Sequence, residues 1–271
     1  MSLILPVQKW YEAIFTRKSR RSFLSDNISH DSLTQLEKVS NELNNSISGA
    51  RAVVINQDPS EIFSGIIGSY GKNITGVSAY VAFIGNMGDP NVQEKTGYLG
   101  EGIILEATAL NLATCWVGGF FKPEAVAKQI NIDSDERVLA VSPIGYVRQE
   151  YSFKEKLMSS MVSSKKRKNL EDLLLEQPSQ GLEEWQKTAL EAARLAPSAI
   201  NRQPWRFTVG DNHIKVSIDT PKDTKGISRR LDCGIAMLHL ELGAMHAGVK
   251  GKWEYLATDP GVAIYFKIGD L

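Results

Sequence analysis

The chain has 271 residues, 31 basic against 31 acidic side chains, 42% hydrophobic residues and two cysteines. That balance describes a soluble globular protein of one large domain or two small ones; it excludes general nucleic-acid binding, because the cations near the N-terminus are not continued by basic stripes elsewhere. No segment approaches the roughly 20 apolar residues of a membrane span, the N-terminus lacks a signal peptide's succession of basic, apolar and small residues, and Cys115 and Cys233 lack metal-ligand spacing, so the expectation is a cytoplasmic protein with two buried, reduced thiols and no metal.

In chain order, an amphipathic helix is predicted from about Val7 to Arg17, with Trp10, Ile14 and Phe15 on a helical spacing. A second helix runs from Ser29 or Asp31, both candidate N-caps, to about Glu42. The β-branched strand Ala52 to Asn56 follows, then a Gly-rich connection through Gly65, Gly68, Gly71 and Gly76, and then the strand Ala79 to Ile84, ended by Asn86, Gly88, Asp89 and Pro90. A long helix is predicted from Gly97 to Thr114; Ile103, Ile104, Ala107, Leu110 and Leu112 give it an apolar face broad enough for burial along most of its length. Trp116-Val117-Gly118-Gly119-Phe120 closes that helix, a short helix follows Pro123, and Val138 to Val147 is a further strand.

The second half repeats the order. Leu182 to Leu195 is an amphipathic helix, Arg206 to Val209 and Ile214 to Ile218 form a hairpin, Gly234 to His246 is a mostly apolar long helix, and Trp253 to Ala257 and Val262 to Ile268 are alternating strands. Gly97 to Trp116 superposes on Asp232 to Gly251 without a gap, matching Glu106 with Glu241 and Ala109 with Ala244. The weight of the match lies in the shared order of elements rather than in identity. The expected organisation is a first lobe over 1–150, a linker over 151–180 that includes the run Lys165-Lys166-Arg167-Lys168, and a second lobe over 181–271.

Two segments carry chemistry. In Ala196-Pro197-Ser198-Ala199-Ile200-Asn201-Arg202-Gln203-Pro204-Trp205 the prolines end a helix and open a strand, while Ser198, Asn201 and Gln203 offer groups that both donate and accept hydrogen bonds. Such a turn suits a flat, heteroatom-edged ligand; it equally suits a loop whose polar groups satisfy their own backbone. In Arg17-Lys18-Ser19-Arg20-Arg21-Ser22-Phe23, four cations in five residues repel one another unless an anion sits among them, and by itself this is also what a solvated helix end looks like. Taken together, the pair resembles the nitroreductase family of flavoenzymes, whose first helix ends in Arg-Arg-Ser-x-Arg-x-Phe and whose FMN rests against a Pro-Ser-x-x-Asn-x-Gln-Pro-Trp loop.

The resemblance implies an α+β fold of mostly antiparallel sheets packed with long central helices. Relatives are usually homodimers whose flavin is touched by both subunits. Here the first half has the cationic element but Asn45-Ser46-Ile47-Ser48-Gly49-Ala50-Arg51 in place of the loop, and the second half has the loop without the cations. A fused pseudo-dimer with one FMN per chain is therefore expected, similar to a rarer single-chain branch of the family. In the roles the resemblance implies, Arg17, Lys165 and Arg167 reach the FMN phosphate, Lys18 and Ser19 the ribityl chain, and Arg21 the N1/O2 edge, where a cation stabilises reduced flavin. Val117, Gly118 and Gly119 present backbone N–H to flavin N5, glycine permitting close approach; without the other motifs this Gly-Gly is a plain helix C-cap. Pro197, Ser198, Ala199 and Asn201 pack from the opposite side, and Gln203 either joins them or braces its own loop. Lys72 or Asn73 supplies a further polar contact.

The implied activity is ping-pong hydride transfer from NADH or NADPH through FMN to a nitroaromatic, quinone-like or similar electron-poor small molecule, with no side-chain acid or base and hence no catalytic residue. His239 and His246, on an apolar helix, read as satisfied core or boundary residues. The alternatives are a flavin-destroying or dehalogenating relative, a non-catalytic flavin-binding or flavin-storage protein, and a chain that has lost flavin. The chain is expected to function as a monomer, with no nucleic-acid or membrane partner.

Overall fold

The computed structural model describes residues 4–64, 74–148, 166–178, 180–223 and 226–271. Helix α1 (Val7–Thr16) buries Trp10, Ala13 and Ile14, a stripe at helical spacing. Helix α2 (His30–Ser46) starts at Ser29, whose side chain accepts from the Ser32 N–H. Strands β1 (Ala50–Ile55), β2 (Ala79–Asn86), β3 (Ala113–Thr114) and β4 (Glu136–Gly145) make an antiparallel sheet in the order β1-β2-β4-β3. Strand β2 is apolar without alternation because both faces are covered, by α4 (Val92–Ala109) on one side and by the short helices α3 (Ser60–Phe63) and α5 (Pro123–Ala127) on the other.

The second lobe comprises α6 (Leu170–Leu173), α7 (Glu184–Arg194), β5 (Trp205–Gly210), β6 (His213–Ile218), α8 (Arg229–His246), β7 (Val249–Tyr255) and β8 (Gly261–Asp270). Its antiparallel sheet has the order β5-β6-β8-β7, the same path as the first. This is a mixed helix and antiparallel-sheet fold with two similar lobes in one chain. One hydrophobic core runs through both lobes, from Leu5 to Tyr265.

The lobes join through α4 and α8, which cross so closely that a Cβ on Gly97 would lie 2.1 Å from the Leu231 carbonyl oxygen and one on Gly234 would lie 2.0 Å from that of Glu94. Because the contact is reciprocal, it pairs Gly97 with Gly234 and Val92 with Arg229 across a pseudo-twofold axis. The ungapped match of Gly97 with Asp232 is thus off by two residues; a helix apolar on most sides has no single stripe to fix its register.

Both long helices begin five residues before their predicted starts, at Val92 and Arg229. Polar first turns hid these starts: Asp89 accepts from the Asn91 N–H, and Ser228 caps the Arg230 N–H. Helix α4 also ends at Ala109 rather than Thr114, in a turn where Asn111 takes φ 60° and the Leu112 N–H bonds to the Ala107 carbonyl, a stop that carries no glycine to announce it. The Trp116 to Phe120 segment accordingly follows strand β3 rather than closing the helix. The second part of the expected linker is structural: Leu173 is fully buried, and the Leu175 N–H donates to the Phe207 carbonyl, covering the edge of β5.

Candidate functional site

Beyond α1 the chain turns extended and threads between two neighbours. Ser19 bridges Thr114 in parallel, the Arg20 N–H donates to the Thr114 carbonyl, and Ser22 and Phe23 pair with Thr75. This brings the cationic element alongside the strand that leads into Val117. The neighbours of this extended segment sort its cations. Arg20 is 7% exposed and donates to the Arg148 carbonyl at 3.0 Å, a structural role that the motif did not reveal, whereas Lys18 is exposed and Arg17, Ser19 and Arg21 are half-buried. Arg17 Nη1 lies 3.5 Å from Ser19 Oγ, and its Nε is buried without a hydrogen-bond partner among the described residues.

The loop of the second lobe is a strained turn. Ile200, Asn201 and Gln203 take φ of 49°, 57° and 49°, left-handed values that cost a β-branched residue such as Ile200 most and that cluster where function demands them. The contacts holding it identify residues beyond the motif's expected set. Ser198 Oγ accepts from the Gln203 N–H, Asp232 on the first turn of α8 accepts from the Ala199 N–H, and Arg202 pairs with Asp232 at 2.7 Å while also donating to the carbonyls of Ile227 and Ser228. Asp232 and Arg202 were legible only as an acid on an apolar helix and a cation inside the motif. Burial pushes the Asp232 carboxyl up to about 6, against the pull of Arg202 and the Ala199 N–H.

Residues 166–168 bind this loop. Arg167 donates to Asn201 Oδ1 at 2.8 Å and to the Leu195 carbonyl at 3.2 Å, and Asn201 Nδ2 donates to the Lys166 carbonyl. Gln203, only 4% exposed, accepts from the Lys168 N–H and donates to the carbonyls of Lys166 and Asn201, so its amide braces the loop. Burial, together with the charges of Arg17 and Arg194, lowers Arg167 to about 10. The guanidinium of Arg167 thus touches Asn201 of the second lobe and feels the charge of Arg17 of the first. Lys165, Lys72 and Asn73 lie outside the described residues.

The third piece is Val117 to Gly119. Val117 pairs with Val141, its N–H and carbonyl both bonded, and Gly118 faces lobe 2, where a Cβ would sit 3.1 Å from Ile227 Cγ2. Phe120 takes φ 66°. Pro197 is buried and Ala199 half-buried behind the loop. A surface concavity of about 550 Å³ lined by Pro59, Phe63, Ile74, Thr75 and Val77 borders the far side of the Ser22–Thr75 bridge and contains none of the expected residues; the charged cluster, not that concavity, has the chemistry to bind an anion. Among the described residues no group of His, Cys, Asp and Glu is placed to hold a metal, and no helix is long and apolar enough to cross a membrane.

The profile of the "Putative TM nitroreductase" family matches residues 9–244. Among solved structures, one from Thermotoga maritima described as a "putative nitroreductase" superposes with a TM-score of 0.61 at 19% identity, covering 98% of this chain and 95% of its own. A "Putative NADH dehydrogenase/NAD(P)H nitroreductase" of Bacteroides thetaiotaomicron is 18% identical, with a TM-score of 0.43 over 54% of this chain and 94% of its own. An FMN-dependent nitroreductase of Clostridium difficile is 15% identical, with a TM-score of 0.43 over 55% of this chain and 94% of its own. No curated protein matches the chain. The structural likeness establishes the fold, and the family profile runs from the helix that delivers Arg17 to the helix that carries Asp232; the chain belongs to this nitroreductase family.

Proposed function

We propose that the chain is an FMN-dependent NAD(P)H oxidoreductase that reduces nitroaromatic, quinone-like or similar electron-poor small molecules. It holds one FMN where its two lobes meet and works without pairing to a second chain. The observation that carries this reading is Arg167 bonded to the strained Ser198–Gln203 turn and within the electrostatic reach of Arg17, whose Nε is buried and has no hydrogen-bond partner among the described residues. Crowded guanidinium groups with an unspent buried donor fit an anion such as a flavin phosphate, which would supply the missing acceptors.

In this reading Arg17 and Arg167 hold the phosphate, with Lys165 as a further partner, and Lys18 and Ser19 the ribityl chain. Arg21 faces the pyrimidine edge, and its positive charge favours the reduced form. Gly118 keeps the main chain bare on the side facing lobe 2. Pro197, Ser198 and Ala199 form the opposite wall, while Asn201 and Gln203 act through the 166–168 segment that they bind. When bound, FMN supplies the hydride chemistry, so the protein's tasks are binding, orientation and electrostatics. The repeated strand order supports an origin of the two lobes by internal duplication, with a single site retained.

The test is the visible spectrum of the purified chain, with released flavin counted per polypeptide, followed by steady-state oxidation of NADH and NADPH with a nitro or quinone acceptor. One flavin per chain and acceptor-dependent turnover are expected; bound flavin that neither nicotinamide reduces would make the chain a flavin-binding module instead. Arg17→Ala is expected to weaken FMN binding roughly 10- to 100-fold, the worth of one charge-assisted hydrogen bond. Fluorescence titration with FMN checks it, and unchanged affinity removes Arg17 from the site.

A further inference from the structure

A buried polar chain crosses the interface between the lobes and ends beside the Val117–Gly119 segment. Trp116 packs its indole on Phe83, with ring centroids 4.4 Å apart, and against Gly100, and its Nε1 donates to Glu101 Oε2 at 2.7 Å. The other carboxyl oxygen of Glu101 lies 2.9 Å from Nε2 of His239 on α8, and His239 Nδ1 lies 3.1 Å from the Ala192 carbonyl oxygen on α7. Glu101 and His239 are both 0% exposed. A carbonyl oxygen only accepts, so Nδ1 carries a proton, and the Nε2–Oε1 contact is a bond only when one proton lies between the two atoms. The pair is therefore net neutral, whether it stands as imidazolium and carboxylate or as imidazole and carboxylic acid.

Stability alone does not account for this arrangement, because apolar residues of similar volume commonly replace a buried ionisable pair without loss. Position points to its purpose. The second lobe has a related chain at the matching tryptophan, where Trp253 Nε1 donates to Glu241 Oε2 and Tyr98 of α4 donates to the same oxygen, but the Trp116 chain is the one that ends at the segment where Gly118 faces Ile227. Its far end also leads into the site: Ala192 lies in the last turn of α7, and the Leu195 carbonyl just beyond accepts from Arg167.

We propose that Glu101 and His239 are positioning residues for hydride transfer, anchoring Trp116 to the second lobe and thereby setting the Val117–Gly118–Gly119 backbone against the flavin edge; this rests on the FMN reading above. Three variants separate the bonding from the charge. Trp116→Phe removes the indole N–H together with part of the ring that packs on Phe83 and Gly100. His239→Leu removes both ring nitrogens. Glu101→Gln preserves every bond with a neutral imidazole, its amide oxygen accepting from Trp116 and its NH2 donating to Nε2.

With FMN-loaded protein, Trp116→Phe and His239→Leu are expected to keep the wild-type flavin content, shift the absorption spectrum and reduction potential of the bound flavin, and slow anaerobic bleaching by NADH or NADPH about 10- to 100-fold, the scale of an ångström-level misplacement. Glu101→Gln is expected to stay near wild type in all three measurements. Amide hydrogen exchange at residues 117–119 of the flavin-free chains is expected to accelerate in the first two variants only. Wild-type spectrum, potential, bleaching rate and exchange in Trp116→Phe would overturn the proposal even where His239→Leu does not fold, and so would a Glu101→Gln protein as slow as His239→Leu. A wild-type chain that takes up no FMN defeats the flavin reading, and the exchange measurement then still decides whether these residues position the segment.

Discussion

Arg202→Ala is expected to destabilise the chain by about 3–5 kcal/mol at neutral pH, the range for removing one member of a buried ion pair. The Arg202 and Asp232 side chains are 7% and 2% exposed, and the guanidinium also satisfies the carbonyls of Ile227 and Ser228. Its removal leaves those two carbonyls without this donor and a carboxylate without its close cation, under a turn that already strains Ile200, Asn201 and Gln203.

The pH dependence has a definite sign. Burial raises Asp232 from 3.8 to about 6 in the folded chain, so the stability this carboxyl contributes is complete below about pH 4 and is lost as the pH rises to about 6. Above that range the carboxylate is ionised and depends on Arg202; below it the protonated acid needs no cation. Arg202 pulls the Asp232 pKa down, so its loss raises that pKa further, and the stability gap between wild type and Arg202→Ala is expected to be widest at the alkaline end, to narrow as the pH falls toward about 6 and to stay small below it. Urea unfolding of both proteins across pH 4 to 8, with Asp232→Asn as the variant lacking the titration, measures this. A gap independent of pH would show that Arg202 acts through packing alone.

Gly234→Ala is expected to cost about 3 kcal/mol or more by overpacking, and its value lies in its sign. Alanine is the better helix former by about 1 kcal/mol, so an α8 standing by itself would gain from the change. In the folded chain the new Cβ would lie 2.0 Å from the Glu94 carbonyl oxygen and 2.7 Å from its Cα and carbonyl carbon, backbone atoms in the first turn of α4 that have no alternative rotamer. Gly97→Ala meets the Leu231 carbonyl in the same way at 2.1 Å. Thermal unfolding of each variant decides the matter. A higher melting temperature in Gly234→Ala would mean that the two central helices are not in backbone contact.

Much of the architecture was legible because the apolar periodicity is strong. The hairpin of β5 and β6, the strand β2 and the inward positions Trp10 and Ile14 all follow from local pattern, whereas Phe15, read on the same spacing, is exposed and Ala13 takes the buried place, because the face a helix buries is set by what packs on it. The two-residue strand β3 escaped because it is too short to show a period, and the polar first turns of α4 and α8 concealed where those helices start. The cationic element and the Pro-Ser-x-x-Asn loop announced themselves by composition. Neither could show that Arg20 turns inward to the Arg148 carbonyl, because that depends on which strands flank an extended segment.

The sequence by itself determined the classes of element, their repeated order and the two segments that carry charge and amide groups, since each of these is written in short-range pattern and residue chemistry. The tertiary structure alone decided which groups meet: Arg167 on Asn201, Arg202 on Asp232, and His239 on Glu101. The reason is physical. Such contacts join residues far apart in the chain, and their partners are selected by how closely α4 and α8 approach through Gly97 and Gly234, which local pattern does not encode.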